Sequence, residues 1–167
     1  MGSTVSGGVT VSASVLESLS SGFKSPGPIA STILEVQTVP ASALVYSAQR
    51  TLSGSSSETL DLAGVLADSY GNTLTFAHVN GIVIRNRGAN VVKIGPNSSN
   101  GFGASNGPWN ASADRSTANP ANGSNFGTFT WLDPGSGATV TAGTGDLLYV
   151  QNTAAGSITY DVLIWGS

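Results

Sequence analysis

The chain has 167 residues, enough for one domain with a core of its own, and 40% of them are hydrophobic against only 9% charged. Soluble domains average roughly 25% charged residues, and so little charge beside this much apolar content excludes intrinsic disorder, which needs weak hydrophobicity and self-repulsion. The net charge of −3, with six Lys and Arg residues spread along the chain, lacks the basic cluster that releasing phosphate counterions requires, so no direct contact with nucleic acid is expected.

Other classes fall away on single features. There are no cysteines, so disulfides and thiolate metal sites are excluded. No apolar run approaches the ~20 residues of a membrane-spanning helix. Met1 to Gly8 lacks a basic stretch leading into an apolar one, which is the pattern of a signal peptide, so synthesis in a cytoplasm is expected. A surface rich in Ser, Thr, Asn and Gly is poorly protected by charge against association. It suits a subunit whose faces are occupied by neighbours; a secreted polar domain is the alternative.

Residues 1–30 are rich in Gly, Ser and Val, with one short apolar stretch, Val11 to Leu16, and a break at Pro26-Gly27-Pro28. They are expected to form an extended arm that orders against something else, with a short helix over Ser14–Ser20 as a weaker option. Residues 31–167 form the expected β-domain. Ile33–Val39 and Leu44–Leu52 are its first strands, separated by Pro40, and Glu58–Leu62 follows the loop Gly54–Ser57. Leu62, Val65, Leu66 and Tyr70 share helical spacing, so Ala63–Asn72 is expected to form a turn of helix. Asp68 to Asn72 supplies turn residues, with Gly71 free to take a positive φ.

Leu74–Val79 and Ile82–Asn86 are β-branched and aromatic, and Asn80-Gly81 lies between them. That dipeptide is a strong signal for a hairpin through a type I′ turn; a bulge within one long strand is the competing reading. Val91–Ile94 comes next. Pro96 to Gly127 is then packed with Asn, Ser, Gly and Ala but carries Phe102, Trp109 and Phe126. Such rings either pin a long loop to its own domain or dock onto a neighbouring subunit. Phe129–Leu132, Thr139–Thr141, Asp146–Asn152 and Ile158–Trp165 complete the strands. The last puts Ile158, Tyr160, Val162 and Ile164 on one face. Its other face runs from polar to apolar and ends at Trp165, which suits entry into an interface. Phe102, Trp109, Phe126 and Trp165 are therefore the candidate interface residues. Eight or nine short strands with Gly-rich turns make the expected fold all-β, a β-sandwich of jelly-roll type.

No catalytic, cofactor-binding or metal-binding residue is assigned. His78, the lone histidine, lies on a strand, where a hydrogen-bonded structural role outweighs a general base. The nine acids are scattered, with no calcium loop. Asp133 and Asp146 flank Gly-rich turns and are expected to cap backbone there. Asp61 and Asp68 are close in sequence but nothing marks them as a glycosidase pair. No Gly-x-Ser-x-Gly elbow and no phosphate-cradling loop occurs.

One resemblance does emerge. Thr51 to Leu66, Asp68 to Val79 and Ile82 to Asn86 are similar to a family of small structural proteins of tailed bacteriophages. So are Pro134-Gly135, Thr141 to Leu148 and the ending Ile158 to Gly166. The similarity spans Thr51 to Gly166. The chain departs from the pattern in its Asn/Ser-rich insertion between Pro96 and Gly127, and at Trp165, where an aliphatic residue is more usual. The resemblance implies a virion component and supplies no catalytic residues. The expectation is a non-enzymatic capsid decoration (auxiliary or cement) protein that binds and stabilises the assembled shell. Its partners would be the major capsid protein or other virion proteins, and the chain itself as a homo-oligomer, with a trimer matching local threefold positions. A tail or fibre-associated β-module is the first alternative. A carbohydrate-binding β-sandwich using Trp109, Trp131 or Tyr149 as stacking platforms is the second.

Overall fold

The computed structural model describes residues 7–16, 30–39, 43–97, 99–105, 107–109, 111, 116–118 and 127–167. These form thirteen strands, paired antiparallel, and no helix. The chain divides into two units, Met1–Ala41 and Ser42–Ser167. The first holds a hairpin in which β1 (Gly7–Leu16) pairs with β2 (Ala30–Val39), Gly7 opposite Val39 and Leu16 opposite Ala30. The expected arm ended at residue 30, but the strand after it belongs to the same unit, and the division falls at 41/42. Ser14 to Leu16 lie within β1, so they are strand and not helix; residues 17–20 and the Pro26–Pro28 break lie outside the described residues.

The second unit is built on two sheets. One has the order β10 (Gly127–Leu132), β7 (His78–Asn86), β13 (Ile158–Gly166), β3 (Leu44–Leu52), with the short β11 (Ala138–Thr139) continuing the β10 side of β7. The other has the order β4 (Ser57–Asp61), β12 (Leu147–Asn152), β8 (Val92–Gly95), β9 (Ser116–Ala118). A separate hairpin, β5 (Ala63–Ala67) and β6 (Thr73–Thr75), lies between β4 and β7 in the chain.

Alternation decides which face is buried. In β13, Ile158, Tyr160, Val162 and Ile164 are buried while Thr159, Asp161 and Leu163 are partly exposed. Its neighbours follow in register, Ile164 opposite both Tyr46 and Ile82, and Val162 opposite Ala48 and Ile84. From the other sheet Leu60, Ile94, Leu148 and Val150 join the same core. Both sheets thus turn their apolar faces to one hydrophobic interior, which is what makes period-2 strands stable in a layered all-β unit.

Two local expectations are corrected. Asn80-Gly81 is not a hairpin turn, because β7 runs straight through it. Trp165 pairs with Gly81 and Gly166 with Val79, so Asn80 is the extra residue of a bulge. The bulge lets Val79 and Ile82, three apart, both enter the core. Gly81 is needed for room and not for a positive φ: a Cβ there would collide with the Trp165 indole. The expected helical turn at Ala63–Asn72 is instead the β5–β6 hairpin. Gly64 sits at φ 125°, which no helix accommodates, and the register shifts between Ala63 and Ala67. Leu62 and Leu66 are both buried, and a spacing of four puts two residues on one face of a strand as well as of a helix.

Candidate interaction surface

The sequence singled out four aromatic residues, and the fold places three of them inside. Phe102 is 0% exposed and Trp109 4% exposed, and both belong to the core. Trp109 stacks on Phe129 with ring centroids 5.8 Å apart, and its Nε1 donates to Ser116 Oγ at 3.2 Å. The described part of the Pro96–Gly127 region is therefore pinned to its own domain by these two rings and also contributes β9, and neither ring is free to meet a partner. Phe126 lies outside the described residues. Trp165 is fully buried over Gly81, with its Nε1 lacking a hydrogen-bond partner among the described residues. None of the three offers exposed area, and the structure does not bring them together as one surface.

A polar network bridges the sheets where the sequence gave no signal. Glu58 on β4 accepts a hydrogen bond from Tyr160 Oη of β13 at 2.7 Å and from Arg50 Nε of β3 at 2.6 Å. The Arg50 terminal amine also ion-pairs with Glu58, and Nη1 donates to Tyr46 Oη at 3.1 Å. The bond to Glu58 pushes the Arg50 guanidinium pKa up despite some burial. Burial first, and the Glu58 bond second, push the Tyr160 phenol up. The members bond to one another across the two sheets, so the network ties β3, β4 and β13 together.

Near the same end of the strands, where Asn86 lies opposite Tyr160, three asparagines organise the loops. Buried Asn152 donates to Ser53 O at 2.9 Å and Gly156 O at 2.8 Å. Asn90 donates to Asn152 Oδ1 at 3.1 Å and to Ala155 O at 2.9 Å. Buried Asn86 donates to Asn90 O at 2.7 Å and Ala118 O at 3.2 Å. Each satisfies backbone carbonyls that a loop would otherwise leave unpaired.

Two features face outward. The first is a groove of about 510 Å³ on the outer face of the five-stranded sheet, floored by Val83 and Leu163 and bordered by Gln49, Arg85, Arg87 and Asp161. Asp161 accepts from Gln49 Nε2 at 3.0 Å and Arg87 Nε at 2.6 Å. Burial alone would raise its carboxyl, but those bonds and the charges of Arg87 and Arg85 outweigh burial and hold it below the ordinary value. The second is the β5–β6 hairpin, which carries Val65 at 73% and Tyr70 at 71% exposure, the large apolar side chains left exposed among the described residues.

The remaining candidates are structural. Asp133 Oδ1 accepts from Gly135 N and Asp146 Oδ2 from Gly143 N, so both carboxylates cap Gly-rich turns. His78 is half-buried on β7, its backbone paired with Thr139 and Ser167. Asp61 caps the start of β5 through Ala63 N, and Asp68 caps its own turn. Among the described residues no three His, Cys, Asp or Glu side chains gather as a metal site would require. Comparisons with family models, with curated proteins and with solved structures find no match to this chain.

Proposed function

We propose that this chain is a non-enzymatic structural component of a virus particle, a capsid decoration protein that binds the assembled shell and reinforces it. The observation that carries the reading is the strand order. Counting β3, β4, β7, β8, β9, β10, β12 and β13 as the eight principal strands, the first pairs with the eighth and the second with the seventh. The third pairs with the sixth and the fourth with the fifth. A hairpin of eight strands rolled up on itself gives this pairing, which supports the jelly-roll form of the sandwich. Jelly rolls recur in viral capsid and lectin domains. The weakly charged surface favours the first of these, since it suits a subunit surrounded by others.

Attachment to a shell needs many weak contacts made at once, and linked copies multiply them into avidity. The β1–β2 unit, separate from the main unit in its internal contacts, is the segment proposed to reach a neighbouring virion protein by strand addition. Glycan binding, the lectin-like alternative, loses its best platform because Trp109 is buried. The test is to mix purified protein with particles of the virus whose genome carries the gene, stripped of this chain. Cosedimentation that saturates at a fixed number of copies per shell is expected. A protein that stays in the supernatant would oppose the decoration role.

A further inference from the structure

We propose that two copies of this chain pair through the outer edge of β1, antiparallel and about a two-fold axis at Ser12, so that two hairpins make one four-stranded sheet. Among the described residues the hairpin sheet stops at two strands, β1 and β2. Two strands alone are marginally stable in water, and a sheet becomes sturdy from three strands upward. β1 also lacks the devices that keep an edge from pairing, which are short length, proline, charge and bulges. It runs for ten residues, Gly7–Leu16, with no proline and no charged residue. Its register with β2 is unbroken over all ten positions, so no bulge turns the edge aside.

The order of residues in β1 specifies what this edge accepts. Val9 to Val15 run Val, Thr, Val, Ser, Ala, Ser, Val, an alternation of apolar and hydroxyl residues that is symmetric about Ser12. An antiparallel copy centred there sets Val9 opposite Val15 of the second copy, Thr10 opposite its Ser14 and Val11 opposite its Ala13. Apolar positions then meet apolar ones and hydroxyl positions meet hydroxyl ones, and such cross-strand pairs are what stabilises a sheet. A two-fold contact requires this self-complementarity, in which each residue is met by the partner it meets. β2 has no such symmetry: Ile33 and Leu34 are adjacent in it and Glu35 is charged. The contact therefore selects β1 and a second copy of this chain, and it leaves the outer edge of β2 for a neighbouring virion protein.

This pairing is a property of the chain in solution and does not rest on the virion reading, so the two fail separately. The chain contains no cysteine, so a single introduced thiol reports the register. Facing residues of antiparallel strands lie ~4.5–5.5 Å apart at Cα, within the range that a disulfide bridges. Air oxidation of the full chain carrying Ser12→Cys is expected to give a cross-linked species of twice 16.7 kDa. Ser14→Cys should stay largely uncross-linked, because its two copies are displaced by roughly 14 Å along the strands. Sedimentation velocity of the wild type should show the same dimer. Ser12→Lys should weaken it about fivefold by setting like charges opposite each other, and mixing Ser12→Lys with Ser12→Glu should restore pairing. Circular dichroism of each variant confirms that the chain remains folded. A monomeric wild type would overturn the proposal, as would Ser14→Cys cross-linking as readily as Ser12→Cys. So would a dimer that Ser12→Lys leaves unchanged, because association would then run through another surface.

Discussion

The phenol of Tyr160 on β13 donates a 2.7 Å hydrogen bond to Glu58 on β4, so one buried hydroxyl joins the two sheets of the main unit. Hydrogen bonds to charged groups contribute more than neutral ones, about 1.5–3 kcal/mol. Tyr160→Phe should lower stability by about 1–2 kcal/mol, since Glu58 retains Arg50. Glu58→Ala should cost about 2–4 kcal/mol, because it leaves the Tyr160 hydroxyl buried without its acceptor and removes the partner of Arg50. Urea unfolding of both variants and of the double variant gives the coupling between them, expected to be clearly non-zero.

The same pair sets an alkaline limit. The folded phenol of Tyr160 titrates above its ordinary value of 10.0, through burial and then Glu58. Above that value the unfolded chain releases the proton while the folded chain keeps it. Stability is therefore fully present below pH 10 and falls as pH rises beyond it. Tyr160→Phe should flatten the melting temperature against pH in that range; an unchanged slope would assign the loss to other groups.

Asp161 predicts the opposite limb. Its carboxyl is held below the ordinary value of 3.8 by Gln49, Arg87 and Arg85 acting against burial. As pH falls through 3.8 the unfolded chain takes up the proton first, so stability present above that value is lost on further acidification. Asp161→Asn should remove part of this acid sensitivity. Melting curves between pH 2 and pH 5 test it.

Gly81 and Trp165 predict a steric coupling. Gly81→Ala drives a methyl group into the indole and should destabilise by about 1–3 kcal/mol, as overpacking does. In a Trp165→Leu background the same change should cost much less. Equal costs in both backgrounds would show that the glycine serves some other need.

Much of this architecture is written locally, and the rest is not. Leu44–Leu52 and Ile158 onward were legible because alternation and β-branched content agree with the buried face each strand turns inward. Asn80-Gly81 misled because a turn dipeptide and a bulge draw on the same residues, and the deciding contact, the Trp165 ring, lies 84 positions away. Leu62 and Leu66 imitated a helix because residues four apart share a face in a strand as in a helix, and Gly64, at φ 125°, decides against the helix. The aromatics of the Asn/Ser-rich region could be recognised as anchors, yet whether they held their own domain or a neighbour depended on Phe129 and Ser116. Glu58 and Tyr160 are 102 residues apart, and no local pattern pairs them. The exposed Tyr70 became visible only once the segment around it was a hairpin.

Removing residues 1–41 should leave the main unit folded, with an unchanged unfolding transition, because the two units cluster separately. If the hairpin reaches across to other virion proteins, the same truncation abolishes particle binding. Retained binding would take the N-terminal unit out of the attachment mechanism.

Cryo-electron microscopy of the intact particle bears most directly on the structural role. The decoration reading predicts density for the two-sheet domain in regular array on the outer shell, at positions set by the capsid lattice. Density confined to the tail, or a particle with no copy of this chain, would contradict it.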